Sequence, residues 1–198
     1  MDSIAFNQPA IRQQIQRAGV SVNQTANIIL DSADNKPDYE LAAQPMTFND
    51  QGVCTNPKTE LMIEKALMSA TCPVWIKNAV LKNAESYPEQ FRALLQGMLS
   101  KGLPVDLTDT SSANLDLHDL DFSGGKLLAD GARFDNLYAA GTNFSGGSFN
   151  DMMIYSGDLS NAIFKEIHCD AGFAVWENRV ITDGMKLGMT AKQQILYT

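Results

Sequence analysis

The residues of this chain that could most readily take part in catalysis or metal binding are its two histidines and three cysteines. His168 directly precedes Cys169, and a histidine beside a cysteine can activate the thiol as a nucleophile. The other two cysteines, Cys54 and Cys72, form no CxxC motif, so neither a zinc knuckle nor a disulfide framework is expected. Whether His168 and Cys169 can cooperate depends on the fold that presents them.

His118 lies among three aspartates, Asp116, Asp119 and Asp121, which together could hold a metal ion weakly. A solvated acidic surface is the simpler interpretation of the same residues. The nucleotide-binding, zinc-protease and hydrolase signatures GxxxxGKS/T, GxGxxG, HExxH and GxSxG are absent from the sequence. We therefore expect no metal, no cofactor and no enzymatic activity.

The composition is that of a folded chain. Its 198 residues include 44% hydrophobic and 19% charged side chains, which suits one domain or two small ones. No apolar run approaches the roughly 18 residues that span a bilayer, and the start of the sequence lacks the basic and apolar regions of a signal peptide. The protein is therefore predicted to be cytoplasmic, or to leave the cell without a cleaved signal peptide.

The net charge of −8 is concentrated in one segment. Residues 104–171 carry 11 acidic and 3 basic side chains, whereas residues 1–103 carry 10 acidic and 9 basic ones. Such an acidic surface disfavours binding to nucleic acid and to anionic lipid, because both are negatively charged. It would suit a basic protein partner.

Residues 1–103 are predicted to form an N-terminal globular region. A first helix is expected at about 8–18, and one to three short strands are expected between 19 and 53. Three further helices have apolar residues at helical spacing, with Asn56 as the first cap and a capping box of Ser86 with Glu89 at the third helix. Their predicted bounds are about 57–70, 73–84 and 87–101.

Large apolar residues then recur every five positions, a spacing that fits neither a helix nor a strand. Each pentad has two inward residues one position apart and three mostly polar ones, which suits one short side of a square coil. The gap between Leu127 and Phe134 is seven, so two inserted residues are expected near Asp130 and Gly131. The pentad centres are Leu117, Phe122, Leu127, Phe134, Ala139, Phe144, Phe149, Ile154, Leu159, Phe164 and Cys169.

This pattern resembles the pentapeptide-repeat proteins, whose usual pentad is A(D/N)LXX. The resemblance covers residues 115–171 and implies a right-handed quadrilateral β-helix with four pentads per turn. The predicted fold class is thus mixed: an α-helical or α+β N-terminal region, a short β-helix at 104–171 and a C-terminal cap at 172–198. The closest matches are SANLD at 112–116, GARFD at 131–135, GTNFS at 141–145, SGDLS at 156–160 and NAIFK at 161–165.

Four pentads per turn would place residues twenty apart in neighbouring coils, about 4.8 Å from each other. In this register large and small side chains exchange places between coils, which keeps the interior volume nearly constant, as close packing requires. The expected stacked pairs are Phe144 on Phe164, Leu137 on Gly157, Ala139 on Leu159, Gly147 on Ile167 and Phe149 on Cys169.

Both ends of such a column need covering. Eleven pentads make fewer than three coils, and the open ends of a solenoid expose strand edges and apolar interior. The helices before residue 103 are expected to cap one end. Phe173, Val175 and Trp176 are expected to cover the other.

The same register predicts which candidate functional residues point inward and which point outward. Cys169 occupies an inward position and His168 an outward one, so a catalytic Cys–His pair is not expected. Most outward positions are small or polar. The four large outward residues are the candidate binding residues for a protein partner: Tyr138, Met153, Tyr155 and Ile163.

The resemblance implies three kinds of function. Pentapeptide-repeat effectors that pathogenic bacteria inject into host cells have a similar layout, which implies a non-enzymatic protein that binds host proteins. Acidic pentapeptide proteins that mimic DNA bind gyrase. The β-helix of HECT-like effector ubiquitin ligases binds their substrates, but the catalytic region of those ligases is large and follows the repeats, where this sequence has only the short segment 172–198.

Overall fold

The computed structural model describes residues 39–49, 54–176, 179–188 and 195–197. A helical region at 39–100 is followed by a parallel β-solenoid of about four turns, which confirms the predicted fold class. The helix predicted at 8–18 lies outside the described residues.

Within the described residues four helices precede the solenoid, and the three that were predicted after residue 56 are confirmed to within two residues at each end. The short first helix lies where strands were expected, and only an isolated antiparallel bridge between Phe48 and Cys54 forms in the described part of that segment. The helices are α1 at Tyr39–Ala42, α2 at Pro57–Met68, α3 at Val74–Ser86 and α4 at Pro88–Ser100.

Asn56 occupies the predicted N-cap position of α2, and Pro57 and Pro88 begin their helices, but neither helix has a side-chain capping hydrogen bond. The Asn56 side chain instead accepts a hydrogen bond from the Thr47 amide at 3.1 Å and donates one to the Pro45 carbonyl at 3.1 Å. Tyr87 precedes α4, and Ser86 is the last residue of α3, so the expected capping box does not form. The Asn56 side chain therefore fastens the loop before α2 and does not cap the helix.

The solenoid strands are mostly two residues long and belong to four parallel ladders, as a coil with four sides requires. Their order is β1–β4, β2–β5–β7–β10–β13, β3–β6–β8–β11 and β9–β12, with single bridges extending the first and last ladders. The strands are β1 at Val105–Asp106, β2 at Ser111–Ser112, β3 at Leu115–Asp116, β4 at Leu127–Leu128, β5 at Arg133–Phe134, β6 at Leu137–Tyr138, β7 at Met153–Ile154, β8 at Gly157–Asp158, β9 at Ile163–Phe164, β10 at Phe173–Val175, β11 at Val180–Ile181, β12 at Lys186–Leu187 and β13 at Ile195–Tyr197.

The predicted stacking at a spacing of four pentads is confirmed in the centre of the column. Leu137 pairs with Gly157, and the bridge from Ser148 to His168 sets Gly147 and Phe149 beside their predicted partners. The rings of Phe144 and Phe164 stack with centroids 4.8 Å apart. All eleven predicted pentad centres are buried.

The two inserted positions lie earlier than predicted. Asp121 pairs with Asn143 and Leu128 pairs with Ser148. Between these two bridges the first coil therefore spans seven positions, whereas the second coil spans five. The extra positions therefore fall between these two bridges, where Gly124 and its neighbour Gly125 both have φ +77°. The sequence left this open because Leu127, Leu128 and Ala129 are all buried apolar residues, and Ala129, not Leu127, is the centre of that pentad.

The column has about four coils, whereas the eleven predicted pentads make fewer than three. Its first coil begins at Val105, which pairs with Leu127. Strands β10, β11 and β12 pair in parallel with β7, β8 and β9, so these three strands add a fourth coil. Phe173 and Val175 are buried as expected, but Trp176 does not cover the coil, because 40% of it is exposed.

Helix α3 covers the start of the column and supplies the hydrogen-bond acceptors that a preceding coil would supply. In the second coil the amides of Arg133 in β5 and of Asp135 directly after it donate hydrogen bonds to carbonyls of the first coil. In the first coil the Ser111 amide donates to Asn78 Oδ1 at 2.9 Å, and the Ala113 amide donates to Glu85 Oε1 at 3.1 Å. Two amides of the strand edge are thereby satisfied by a helix, as the edge of a sheet requires.

Candidate functional site

His168 and Cys169 point in opposite directions, as the register predicts. His168 is exposed, whereas Cys169 is fully buried and its Sγ lies 3.8 Å from the carbonyl oxygen of Phe149 in the coil before. Burial, and secondarily the negative charge of Asp130, raises the pKa of Cys169 to about 11. The thiol is therefore protonated at neutral pH, and the imidazole of His168 is not placed to take its proton.

The group around His118 is a local hydrogen-bonded pair. His118 Nδ1 lies 2.6 Å from Asp116 Oδ1, which also accepts the His118 amide at 3.1 Å. Burial opposes ionisation of Asp121, but hydrogen bonds from Ser123 and the charge of Lys126 lower its pKa overall. Within the described residues no group of three or more His, Cys, Asp or Glu side chains is arranged to hold a metal ion.

The four predicted binding residues are divided among three ladders. Tyr138 on β6 is 50% exposed and lies between Asp116 and Asp158 in its ladder. Ile163 on β9 lies in a different ladder, paired with Lys186. Only Met153 and Tyr155 lie together, so the four residues do not form a single patch.

Met153 and Tyr155 belong to an aromatic cluster that the sequence prediction found only in part. We define the aromatic cluster as Met153, Tyr155, Trp176 and Arg179. The Tyr155 hydroxyl donates to Met153 Sδ at 3.3 Å, and its ring meets the ring of Trp176 edge-on with centroids 5.5 Å apart. The Arg179 guanidinium lies 5.6 Å from the centre of the Trp176 ring, a cation–π contact.

The fourth coil explains why Trp176 and Arg179 were missed. They lie after the last regular pentad, in a coil that does not keep the spacing of the others, since Ala174 pairs with Met153 but Val180 pairs with Gly157. Extending the regular spacing of four pentads from Tyr155 would have pointed to position 175, one position from Trp176. The exposed tryptophan was instead assigned to a cap.

The acidic side chains of the repeat are turned outward with one exception. Of the eleven carboxylates in residues 104–171, ten are exposed or half-buried, and only Asp106 is buried. Asp106 Oδ2 lies 3.1 Å from Lys77 Nζ, and both side chains are almost completely buried where α3 meets the first coil. Ten of the eleven carboxyl groups therefore lie at or near the surface of the column, while the buried one contacts the helices.

Comparison of the chain with models of protein families, with curated proteins and with solved structures gives no match. None of the helices in the described part of the chain has the length and apolar content needed to cross a bilayer.

Proposed function

We propose that this chain is a non-enzymatic protein-binding module of the pentapeptide-repeat family. The regular ladders support the family assignment, because Leu137 and Arg133 pair with residues four pentads further on, at Gly157 and Met153. The four-sided β-solenoid is consistent with a repeat module that presents fixed side chains to a partner. Its cellular role is that of a bacterial effector that binds host proteins.

One observation carries the proposal: large, partly exposed side chains are held on hydrogen-bonded coils. Met153 and Tyr155 flank the fully buried Ile154, and the amides of both donate to carbonyls of the coil before, so their backbone is fixed. Aromatic and methionine side chains are enriched at protein interfaces, and a backbone that is already held in place has less conformational entropy to lose on binding. The reactive-looking residues of the sequence, in contrast, are either buried or paired with their immediate neighbours.

A pull-down with the whole chain as bait tests this proposal. Lysates of host cells and of bacteria are passed over the immobilised protein, and specific proteins should be captured from the host lysate. A bait that carries the unfolding substitution Phe144→Asp controls for adhesion to denatured protein. Capture of nothing specific from either lysate would argue against a protein-binding role.

A second candidate, mimicry of DNA, is favoured by the ten outward carboxylates. Acidic pentapeptide columns that resemble duplex DNA bind gyrase. The small number of coils argues against it, since about four coils at roughly 4.8 Å each give a column of only about 20 Å. Gyrase supercoiling assays decide the matter: neither inhibition nor protection at micromolar protein would eliminate this candidate.

A further inference from the structure

We propose that the aromatic cluster, together with Arg133, binds a partner segment that carries an aromatic side chain flanked by carboxylates. This inference rests on the proposed protein-binding function and assigns that function a surface and a chemistry. The cluster spans the third and fourth coils: Met153, Tyr155 and Trp176 lie on or directly after strands of the five-stranded ladder, the longest in the described residues, and Arg179 directly precedes β11 of the next ladder.

The cluster is continuous and accessible. Its four residues form an unbroken series of contacts from Met153 through Tyr155 and Trp176 to Arg179. Arg133 pairs with Met153 across the ladder, so it lies one coil above, about 4.8 Å away along the column. An apolar platform of methionine and two aromatic rings is thereby flanked by an arginine on each side.

The positive charges identify the partner. Arg133 and Arg179 are the only arginines in residues 104–188, and both lie at this surface of an otherwise acidic column. Arg179 takes part in no ion pair within the described residues, and Arg133 uses one nitrogen to donate to the Gly131 carbonyl at 3.1 Å. Guanidinium groups held in this way present donors that match a carboxylate in two parallel hydrogen bonds.

The surroundings favour a short acidic segment over an extended polyanion. Asp135 lies on the same face, with Oδ1 accepting from the Ser156 hydroxyl at 2.7 Å, and Glu85 lies nearer the helices. A nucleic acid or an anionic bilayer would bring many charges against these carboxylates and those at the corners. A peptide can place one or two carboxylates on the arginines and an aromatic ring on the platform.

Fluorescence anisotropy with the whole protein tests the inference. The probe is the labelled peptide Gly-Asp-Glu-Phe-Asp-Glu-Gly, compared with its Phe→Ala form and with a form in which lysine replaces every acidic residue. The acidic peptide with phenylalanine should bind best, and its affinity should fall with added salt. Trp176→Ala and Arg179→Ala should each weaken binding at least about tenfold, as expected for central interface residues.

Two variants make the test specific. Trp75→Ala removes an exposed aromatic residue from helix α3, away from the cluster, and should leave the affinity unchanged. The double variant Arg133→Glu with Arg179→Glu should prefer the lysine peptide, a reversal that structural damage would not produce. Thermal unfolding confirms that each variant is folded.

The inference is overturned if the acidic peptide does not bind at millimolar concentration, if the lysine peptide binds wild type equally well, or if the chain self-associates through the cluster. It is also overturned if single-stranded RNA or phosphatidylserine vesicles bind more tightly than the peptide. If host proteins are captured equally by wild type and by Trp176→Ala, the binding function stands and this location is wrong. If nothing is captured by either, the proposed function itself is wrong.

Discussion

At three corners of the column a glycine lies directly beneath the side chain of an aspartate or asparagine in the coil before. A Cβ atom on Gly141 would overlap Asp119 Oδ1, and Gly141 has φ +69°. The same arrangement recurs where Gly131 meets Asp109 and where Gly184 meets Asn161. These positions need glycine both for backbone conformation and for space, which explains why glycine and Asp or Asn alternate between coils.

Substitution of Gly141 by alanine should destabilise the protein. The left-handed backbone alone costs about 1–2 kcal/mol for a residue with a Cβ, and displacement of the Asp119 carboxylate adds to this. Gly97→Ala is the matched control, because Gly97 lies inside α4 with nothing within 4 Å of the added atom. It should stabilise the protein by about 0.5–1 kcal/mol. Urea unfolding measures both, and equal effects would contradict this account of the corners.

The buried thiols should resist alkylation at moderate pH. Burial raises the pKa of Cys72 and of Cys169 to about 11. At pH 8 only about one thiol in a thousand would be ionised, and the thiolate is the reactive form. Labelling with iodoacetamide, followed by mass spectrometry, should be slow at pH 8 and faster toward pH 11. Labelling of both residues at pH 8 as rapid as in urea would contradict the burial.

These raised pKa values also make the free energy of unfolding depend on pH. The folded-state pKa lies above the unfolded value of about 8.5, so the folded state favours the protonated thiols. Their contribution is fully present below about pH 8.5 and is lost as pH rises toward 11.

Among the elements, α3 has the most specific task, because it replaces a coil. Its Asn78 and Glu85 side chains accept hydrogen bonds from amides of the first coil, and its Lys77 forms the buried ion pair with Asp106. An apolar stripe predicted α3 to within two residues. It could not predict this polar contact, because nothing in the local spacing shows which coil the helix will meet.

Substitution of Lys77 by methionine should be strongly destabilising. It leaves the Asp106 carboxylate buried without its cation, a change that typically costs about 3–5 kcal/mol. Lys101→Met is the matched control, because Lys101 pairs with Glu64 at 2.8 Å with more than half of the lysine side chain exposed. That pair should contribute no more than about 1 kcal/mol. Denaturant unfolding compares the two, and a small effect at Lys77 would contradict the buried pair.

At the scale of the whole molecule, the column was predicted correctly where the five-residue spacing of its apolar residues is regular. The prediction failed where that spacing changes. The centres from Phe134 to Cys169 follow one spacing, so their register could be derived and is confirmed. The start of the first coil, before residue 115, was missed because Ser112 occupies the inward position that stacks on Phe134. The fourth coil was missed because its sides are longer, and half of the aromatic cluster was missed with it.

The proposed binding surface could be predicted only in part for a related reason. Sequence spacing identifies which residues point outward, and Met153 and Tyr155 were found in this way. It does not show which outward residues share a ladder, since Tyr138 and Ile163 belong to other sides of the coil. Contact between Tyr155 and Trp176 depends on the fourth coil.

The most direct test of the whole account is thermal unfolding of Phe144→Asp beside Tyr138→Asp. Phe144 is 2% exposed and its ring lies between those of Phe122 and Phe164, with centroid distances of 6.0 and 4.8 Å, whereas Tyr138 is 50% exposed. The register predicts that Phe144→Asp abolishes cooperative unfolding, because it buries an unpaired charge between coils, and that Tyr138→Asp changes stability by less than about 0.5 kcal/mol. An unchanged melting temperature for Phe144→Asp would contradict the register on which the column and its proposed binding surface depend.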